Sequence, residues 1–292
     1  MYVSIRDCLL AETFPTLAEG LRELDVESVE IELTRDFKVA AFDAKGRVRL
    51  ATDEDAEAYG RQLRALGVHP CSFLTARDFS VGEPGDNVAW VARAMELAAI
   101  LGMTNIRIDS AMSRERELDF ETRVNLFAAG LGGALARTGG LTVALAIENH
   151  GFQGNNLAFL LNVFHRVGSN RIGATLDTGN FYWRGYPLSE VYGILRLLAP
   201  YAKHTHLKNI RYPEEVRETV REAGWEYGKY VCPLDEGDID HERVVGMLRD
   251  AGYEGDLCIE DESLGKCATP EERAAVLHRD VAHVRAIRDR LT

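Results

Sequence analysis

The sequence predicts an α/β chain folded as a single (β/α)8 TIM barrel. Three observations predict it. Short apolar, β-rich runs alternate with longer amphipathic runs along the whole chain. Eight strand candidates, each followed by at least one helix candidate, fit in 292 residues, and single barrels of this kind run to about 250 residues. Several strand runs are almost wholly apolar, as parallel strands covered on both faces must be. The rival architecture, a doubly wound sheet, opens with a glycine-rich first turn, and residues 5–14 contain no glycine.

The elements follow in order. Residues 2–5 read as the first strand and 16–24 as a helix. A second strand spans 28–33, and an acidic start and Gly67 bound a helix over 53–66. Strand three is 68–74, and the helix 86–101 carries Trp90, Ala94, Leu97 and Leu101 on one stripe. Strand four is 105–108, followed by a helix over 120–137. Strand five, 141–147, is apolar apart from Thr142, and the helix 156–167 follows it. Strand six is 172–176 with a helix at 188–198, and strand seven is 202–207 with helices at 214–223 and 240–251. Strand eight is 256–259. Pro270 opens a closing helix over 270–291. No linker or low-complexity stretch interrupts this series, so residues 1–292 are read as one domain.

Charge and cysteine usage narrow the function. Lys and Arg number 34 against 46 Asp and Glu, a net charge of −12. Such a surface repels phosphate backbones and anionic membranes, so no nucleic-acid or membrane partner is expected. Five dispersed cysteines with no C-x-x-C pair give neither a disulfide framework nor a zinc knuckle. The N-terminus reads as a strand rather than a signal peptide, and no uninterrupted apolar run reaches the ~18 residues of a membrane span. The expected location is cytoplasmic.

In a barrel of this kind chemistry sits at the C-terminal ends of the strands. Strand five ends in Glu148-Asn149-His150-Gly151 and strand six in Asp177-Thr178-Gly179-Asn180. Strand seven holds Lys203-His204-Thr205-His206-Leu207-Lys208-Asn209, and strand eight ends in Glu260-Asp261-Glu262. At ~5 Å spacing each pair among Glu148, Asp177 and Glu260 would repel by roughly 3 kcal/mol at an effective dielectric of ~20. Protons or a cation must therefore sit between them. Three carboxylates and one imidazole suit Mn²⁺ best, with Mg²⁺, Co²⁺ or Zn²⁺ as the other choices.

These motifs resemble the xylose isomerase-like TIM barrels. The resemblance rests on Glu148 in I-E-N-H-G, Asp177 in L-D-T-G-N, His206 in H-T-H-L-K-N and Glu260 in I-E-D-E, and by strand order covers essentially the whole chain. It implies that Glu148, Asp177, His206 and Glu260 hold a divalent metal. It further implies that Glu148 and Glu260 exchange protons on a small keto-sugar or keto-polyol through a cis-enediolate, which makes the chain an isomerase or epimerase. The alternative is a lyase that dehydrates a keto-polyol or a dehydroshikimate-like acid at the same site. Dimers or tetramers are also implied.

The chain departs from the family's epimerases in three places. Asn180 stands where they carry a histidine, Arg211 lies one residue before the position of their arginine, now Tyr212, and Asn209 replaces an aspartate. His150, Asn180, Lys208, Arg211 and Glu32 are the substrate-binding candidates, and His150 and Lys208 the spare acid or base groups. Arg107 and Asp109 are expected to pair with each other. The aromatic run 181–183 and Trp225, Tyr227 and Tyr230 would stack on a sugar, form a lid or meet another subunit. A repair-nuclease reading lacks the histidines and the basic face it needs.

Overall fold

The computed structural model describes residues 1–291. Its strands are β1 (Tyr2–Arg6), β2 (Ser28–Glu32), β3 (His69–Thr75), β4 (Asn105–Ile108), β5 (Ala144–Glu148), β6 (Ile172–Asp177), β7 (Ala202–His206) and β8 (Asp256–Ile259). They form one parallel sheet in the order β8-β1-β2-β3-β4-β5-β6-β7. A bridge past the end of β7 brings the two edges together: Leu207 N–H donates to Cys258 O at 2.8 Å and Glu260 N–H to Leu207 O at 3.0 Å. This is a TIM barrel with helices around it.

The period of two along each strand sorts the side chains. Val3, Ile5, Val29, Ile31, Phe73, Ile106, Ile108, Leu145, Ile147, Leu176, Leu257 and Ile259 join the apolar core. The alternate positions carry buried polar groups: Glu30, Arg107, Glu148, Asp177, His204 and His206. All but Asp177 bond to one another across the ring, so the barrel interior is a polar network wrapped in an apolar layer. Two register shifts aim it. One falls between Val29 and Glu30 against β3, the other between Ala174 and Thr175 against β7. Past the second, His204 pairs with Thr175 and His206 with Asp177, at the level of the site.

The helices start where the sequence offers caps. Thr52 and Asp55 form a reciprocal capping box before Asp53–Ala65, and Asp119, Asn156 and Asp240 each cap a later helix. Gly168, at φ 62°, closes Leu157–Val167 in the left-handed conformation. Three features go beyond the sequence reading. A helix, Asp7–Thr13, follows β1 at once, and two hairpins leave the barrel, Lys38–Ala40 with Arg47–Arg49 and Asn209–Ile210 with Val231–Cys232.

The helix expected over 214–223 is only Glu214–Arg217. Beyond it the Arg221 guanidinium donates to the main-chain oxygens of Thr219, Tyr182 and Tyr186 at 3.0, 3.1 and 3.0 Å, which turns the chain back instead of letting it coil on. The aromatic run 181–183 lies in the short helix Asn180–Arg184, with Phe181 and Tyr182 buried. Trp225 and Tyr230 stack on each other at 5.6 Å. Among the described residues no helix is long and apolar enough to cross a membrane.

Candidate metal centre

Four neighbouring strand ends meet. Glu148 ends β5, Asp177 ends β6, His206 ends β7 and Glu260 follows β8. Each offers one ligand atom, all within 4.8 Å of one another, and all four side chains are buried. Neighbours hold each donor in place. Glu148 Oε2 accepts from Arg107 Nε at 2.6 Å and also from Nη2, while its Oε1 accepts from Asn180 Nδ2 at 3.2 Å and faces His206 Nδ1 at 3.0 Å. Asp177 Oδ1 accepts the main-chain N–H groups of Gly179 and Asn180 at 2.8 and 2.7 Å. Arg6 pairs with Glu260 Oε1. Asn149 ties β5 to β6 by donating to Asp177 O and accepting from Asp177 N–H.

Two oxygens are left over. Asp177 Oδ2 and Glu260 Oε2 are buried and make no hydrogen bond of ordinary geometry. The Lys208 ammonium stands 3.1 Å from the first and 2.8 Å from the second. A cation thus already answers these oxygens, and the donor set, three carboxylates and one imidazole, fits a hard or borderline divalent ion.

The charges are unequal. Burial alone would raise the Glu148 and Glu260 carboxyls, but Arg107 and His206 for the first, and His206, Lys208 and Arg6 for the second, hold both well below the usual range. Asp177 goes the other way. Burial raises it, Glu260 and Glu148 add to that, and the opposition of Lys208 does not cancel them. Deeper in the barrel Glu30 bridges two imidazoles, with His204 Nε2 and His206 Nε2 each 2.9 Å from its oxygens. His204 Nδ1 meets Asp256 at 2.9 Å, and against the effect of burial the two carboxylates push this imidazole up to about 10.

At the mouth His150 Nδ1 lies 3.0 Å from Asp109 Oδ1, with the imidazole 42% exposed. Burial opposes it, but the bond to Asp109 raises the His150 imidazole. Lys208 also reaches Glu262 at 2.6 Å, and Tyr227 Oη–H donates to the same carboxylate at 2.7 Å.

Of the expected substrate groups, the structure brings Asn180 and Lys208 to the donors and His150 to the mouth. Glu32 is not with them: its carboxylate pairs with Arg47 at the outer hairpin. Arg211 is exposed on the other hairpin, its N–H bonded to Tyr230 O. The expected pair of Arg107 and Asp109 is there at 3.5 Å, but Arg107 bonds Glu148 more closely. Sequence reading missed Arg6, Glu30, the role of Arg107 and the Asp109–His150 pair. Glu30 had a signal: it lies two residues before Glu32, on the same face and one step deeper.

An eight-stranded barrel whose strand ends gather three carboxylates and a histidine defines the class: a TIM barrel with a candidate metal site. The chain belongs to the xylose isomerase-like TIM barrel family, whose model matches residues 18–286. By sequence it is similar to an inosose dehydratase of Klebsiella pneumoniae, 30% identical over 148 residues, which are 49% of this chain and 48% of that protein. The matches cover about half or less of the length of the curated relatives. By fold it is similar to the IolI protein solved with a zinc atom, with TM-score 0.69 and 17% identity over 97% of this chain and 98% of that one. L-ribulose 3-epimerase shares the fold at TM-score 0.64 and 15% identity, over 98% of this chain and 94% of that one.

Proposed function

We propose that this chain is a divalent-metal-dependent dehydratase of a small keto-polyol. One observation carries the reading: the two glutamates have different surroundings, and a separate His–Asp pair stands at the mouth. Both oxygens of Glu148 are taken, by Arg107 on one side and by Asn180 and His206 on the other. Glu260 Oε1 is taken by Arg6, while its Oε2 makes no hydrogen bond of ordinary geometry and faces the Lys208 ammonium at 2.8 Å and His206 Nδ1 at 3.3 Å. Proton exchange on both faces of a carbon needs two free carboxylates, whereas an elimination needs one base and one acid.

Glu148, Asp177, His206 and Glu260 would hold the ion, Mn²⁺ by donor chemistry, with Mg²⁺, Co²⁺ and Zn²⁺ also suited. When bound, it supplies Lewis acidity toward the oxygen that becomes an enolate. Glu260 takes the proton from the carbon beside the carbonyl, and the C–H electrons form the enolate. As the enolate collapses, the C–O bond at the next carbon breaks. His150, oriented by Asp109, gives its proton to the departing hydroxyl, so the products are water and an unsaturated ketone. Lys208, Glu262 and Tyr227 line the mouth and orient hydroxyl groups. The relatives named inosose dehydratase support this substrate class.

A second reading is an isomerase or epimerase with Glu148 and Glu260 as the two bases. The placement of these glutamates on β5 and β8, three strands apart around the ring, favours it. The test is proton NMR in D₂O of metal-loaded protein with inososes, 3-dehydroshikimate and keto-sugars. Loss of water to an unsaturated ketone supports the dehydratase. Deuterium beside the carbonyl together with a new stereoisomer, and no water loss, selects the epimerase. With His150→Gln, exchange that persists while elimination stops assigns the acid.

A further inference from the structure

A cluster of unpaired cations stands beside the mouth. Phe152 lies in the loop leaving β5, two residues after His150, so their Cα atoms are within about 7.6 Å. Three guanidinium groups surround its ring: Arg116 at 5.1 Å, Arg184 at 5.2 Å and Arg123 at 6.0 Å from the centroid. They come from separate segments. Arg116 lies in the loop after β4, Arg123 in the first turn of Phe120–Arg137, and Arg184 at the end of Asn180–Arg184, the helix whose first residue bonds Glu148.

The site's own cations, Arg6, Arg107 and Lys208, are each bound to carboxylates. The three around Phe152 are different. Among the described residues none of them has a carboxylate within ion-pair distance, and the only polar contact of Arg123 is with the main-chain oxygen of Asp119. Glu115 stands near enough to feel Arg123 and Arg116 but pairs with neither. Gathering three like charges costs free energy, and one aromatic ring offsets only part of it. In a chain of net charge −12, three arginines that gather on one ring and make no ion pair, with Glu115 the carboxylate nearby, offer guanidinium N–H groups to an oxyanion.

We infer that these arginines form an anion subsite at the mouth, which takes a phosphate or carboxylate group. Phe152 holds the guanidinium groups beside it, and Arg184 links the subsite to the helix that positions Asn180. The anion is either a substituent of the substrate, a few bonds from the carbon at His150, or a free anion. The inference does not rest on the dehydratase reading, because binding is read without turnover.

The test is calorimetric titration of the metal-loaded protein with inorganic phosphate, at an ionic strength held constant with chloride. Wild type is expected to bind one phosphate per chain, and the double variant Arg116→Gln/Arg184→Gln to bind about tenfold more weakly or worse. Arg116→Lys/Arg184→Lys, which keeps the charges, should retain most of the binding and guards against a folding artefact. No phosphate binding by wild type at low millimolar concentration, or equal binding by the glutamine variant, overturns the subsite. A second arm locates the source of the anion. A KM in the glutamine variant raised for 3-dehydroshikimate but not for a neutral inosose assigns the group to the substrate. Lost phosphate binding with both KM values unchanged assigns it to a free anion.

Discussion

Glu30 accepts from the Nε2 of His206 at 2.9 Å, and that bond decides which imidazole nitrogen faces the other donors. A neutral imidazole carries one proton. With a metal bound the imidazole would keep that one proton on Nε2, toward Glu30, and Nδ1, which otherwise meets Glu148 Oε1 at 3.0 Å, would be left to ligate beside Glu148, Asp177 and Glu260. Glu30 in turn is oriented by His204, and His204 by Asp256. The donor set rests on a chain of hydrogen bonds that runs down the inside of the barrel.

Glu30→Gln should therefore weaken metal binding without removing a ligand. Outer partners of metal-bound histidines are typically worth about 10–100-fold in affinity. Titration of Mn²⁺ and Zn²⁺ by calorimetry or chelator competition reads this directly. An affinity equal to wild type would remove Glu30 from the metal site's support.

Glu260→Gln should abolish turnover more completely than metal binding, whereas Glu148→Gln should lower both together. For Glu260→Gln the loss in kcat should reach about 10²–10⁴-fold, the usual worth of a positioned base. Parallel measurement of Kd for metal and of deuterium exchange separates the two effects. Near-normal turnover in Glu260→Gln would sink its role as base.

The pH dependence of stability has two opposed parts. Burial, with His283 nearby, lowers the His241 imidazole to about 4. The unfolded chain binds that proton from pH ~6.5 downward while the folded chain does not, so His241 costs stability as pH falls toward 4, by at most about 3 kcal/mol. Burial raises the Asp7 carboxyl to about 6. Its contribution is complete below the unfolded value and is lost as pH rises through 6. Urea unfolding at several pH values should show His241→Asn gaining on wild type as pH falls from 7 to 4. A constant difference across that range would contradict the assignment.

Asn209, which replaces the aspartate of the resembling motif, uses both ends of its amide. Nδ2 donates to Leu234 O and Ile239 O at 2.8 and 3.0 Å, and Oδ1 accepts from the N–H groups of Ile210 and Ile239 at 3.0 Å. Asn209→Asp would set a carboxylate against two carbonyls and cost about 2–3 kcal/mol. Gly237 packs on this amide, and a Cβ there would run into the Asn209 side chain. Gly237→Ala should cost about 1–3 kcal/mol. Thermal unfolding checks both, and a melting temperature equal to wild type would contradict the packing.

The strands and their end residues are legible in the sequence because period, turn signals and motif spacing are local. Glu148, Asp177, His206 and Glu260 could be placed at one end of the barrel by counting along their own strands. Their partners could not. Arg6 and Glu260 lie 254 positions apart, and which guanidinium meets which carboxylate depends on how strands cross the ring. Glu30 and Glu32 look equivalent in sequence, and only depth separates them: one meets two histidines, the other an outer arginine. The helix expected over 214–223 has local periodicity, but the Arg221 side chain outbids it through contacts some forty positions away.

The pairing of the first strand with the last has a consequence for the chain as it is made. Arg6 is synthesised 254 positions before its carboxylate, so a nascent chain carries that guanidinium through all of that stretch without its mate. A chain halted before β8 would be an open seven-stranded sheet with two raw edges. It would also lack one of the four candidate metal-binding groups. Closure of the ring and completion of that set are the same late event.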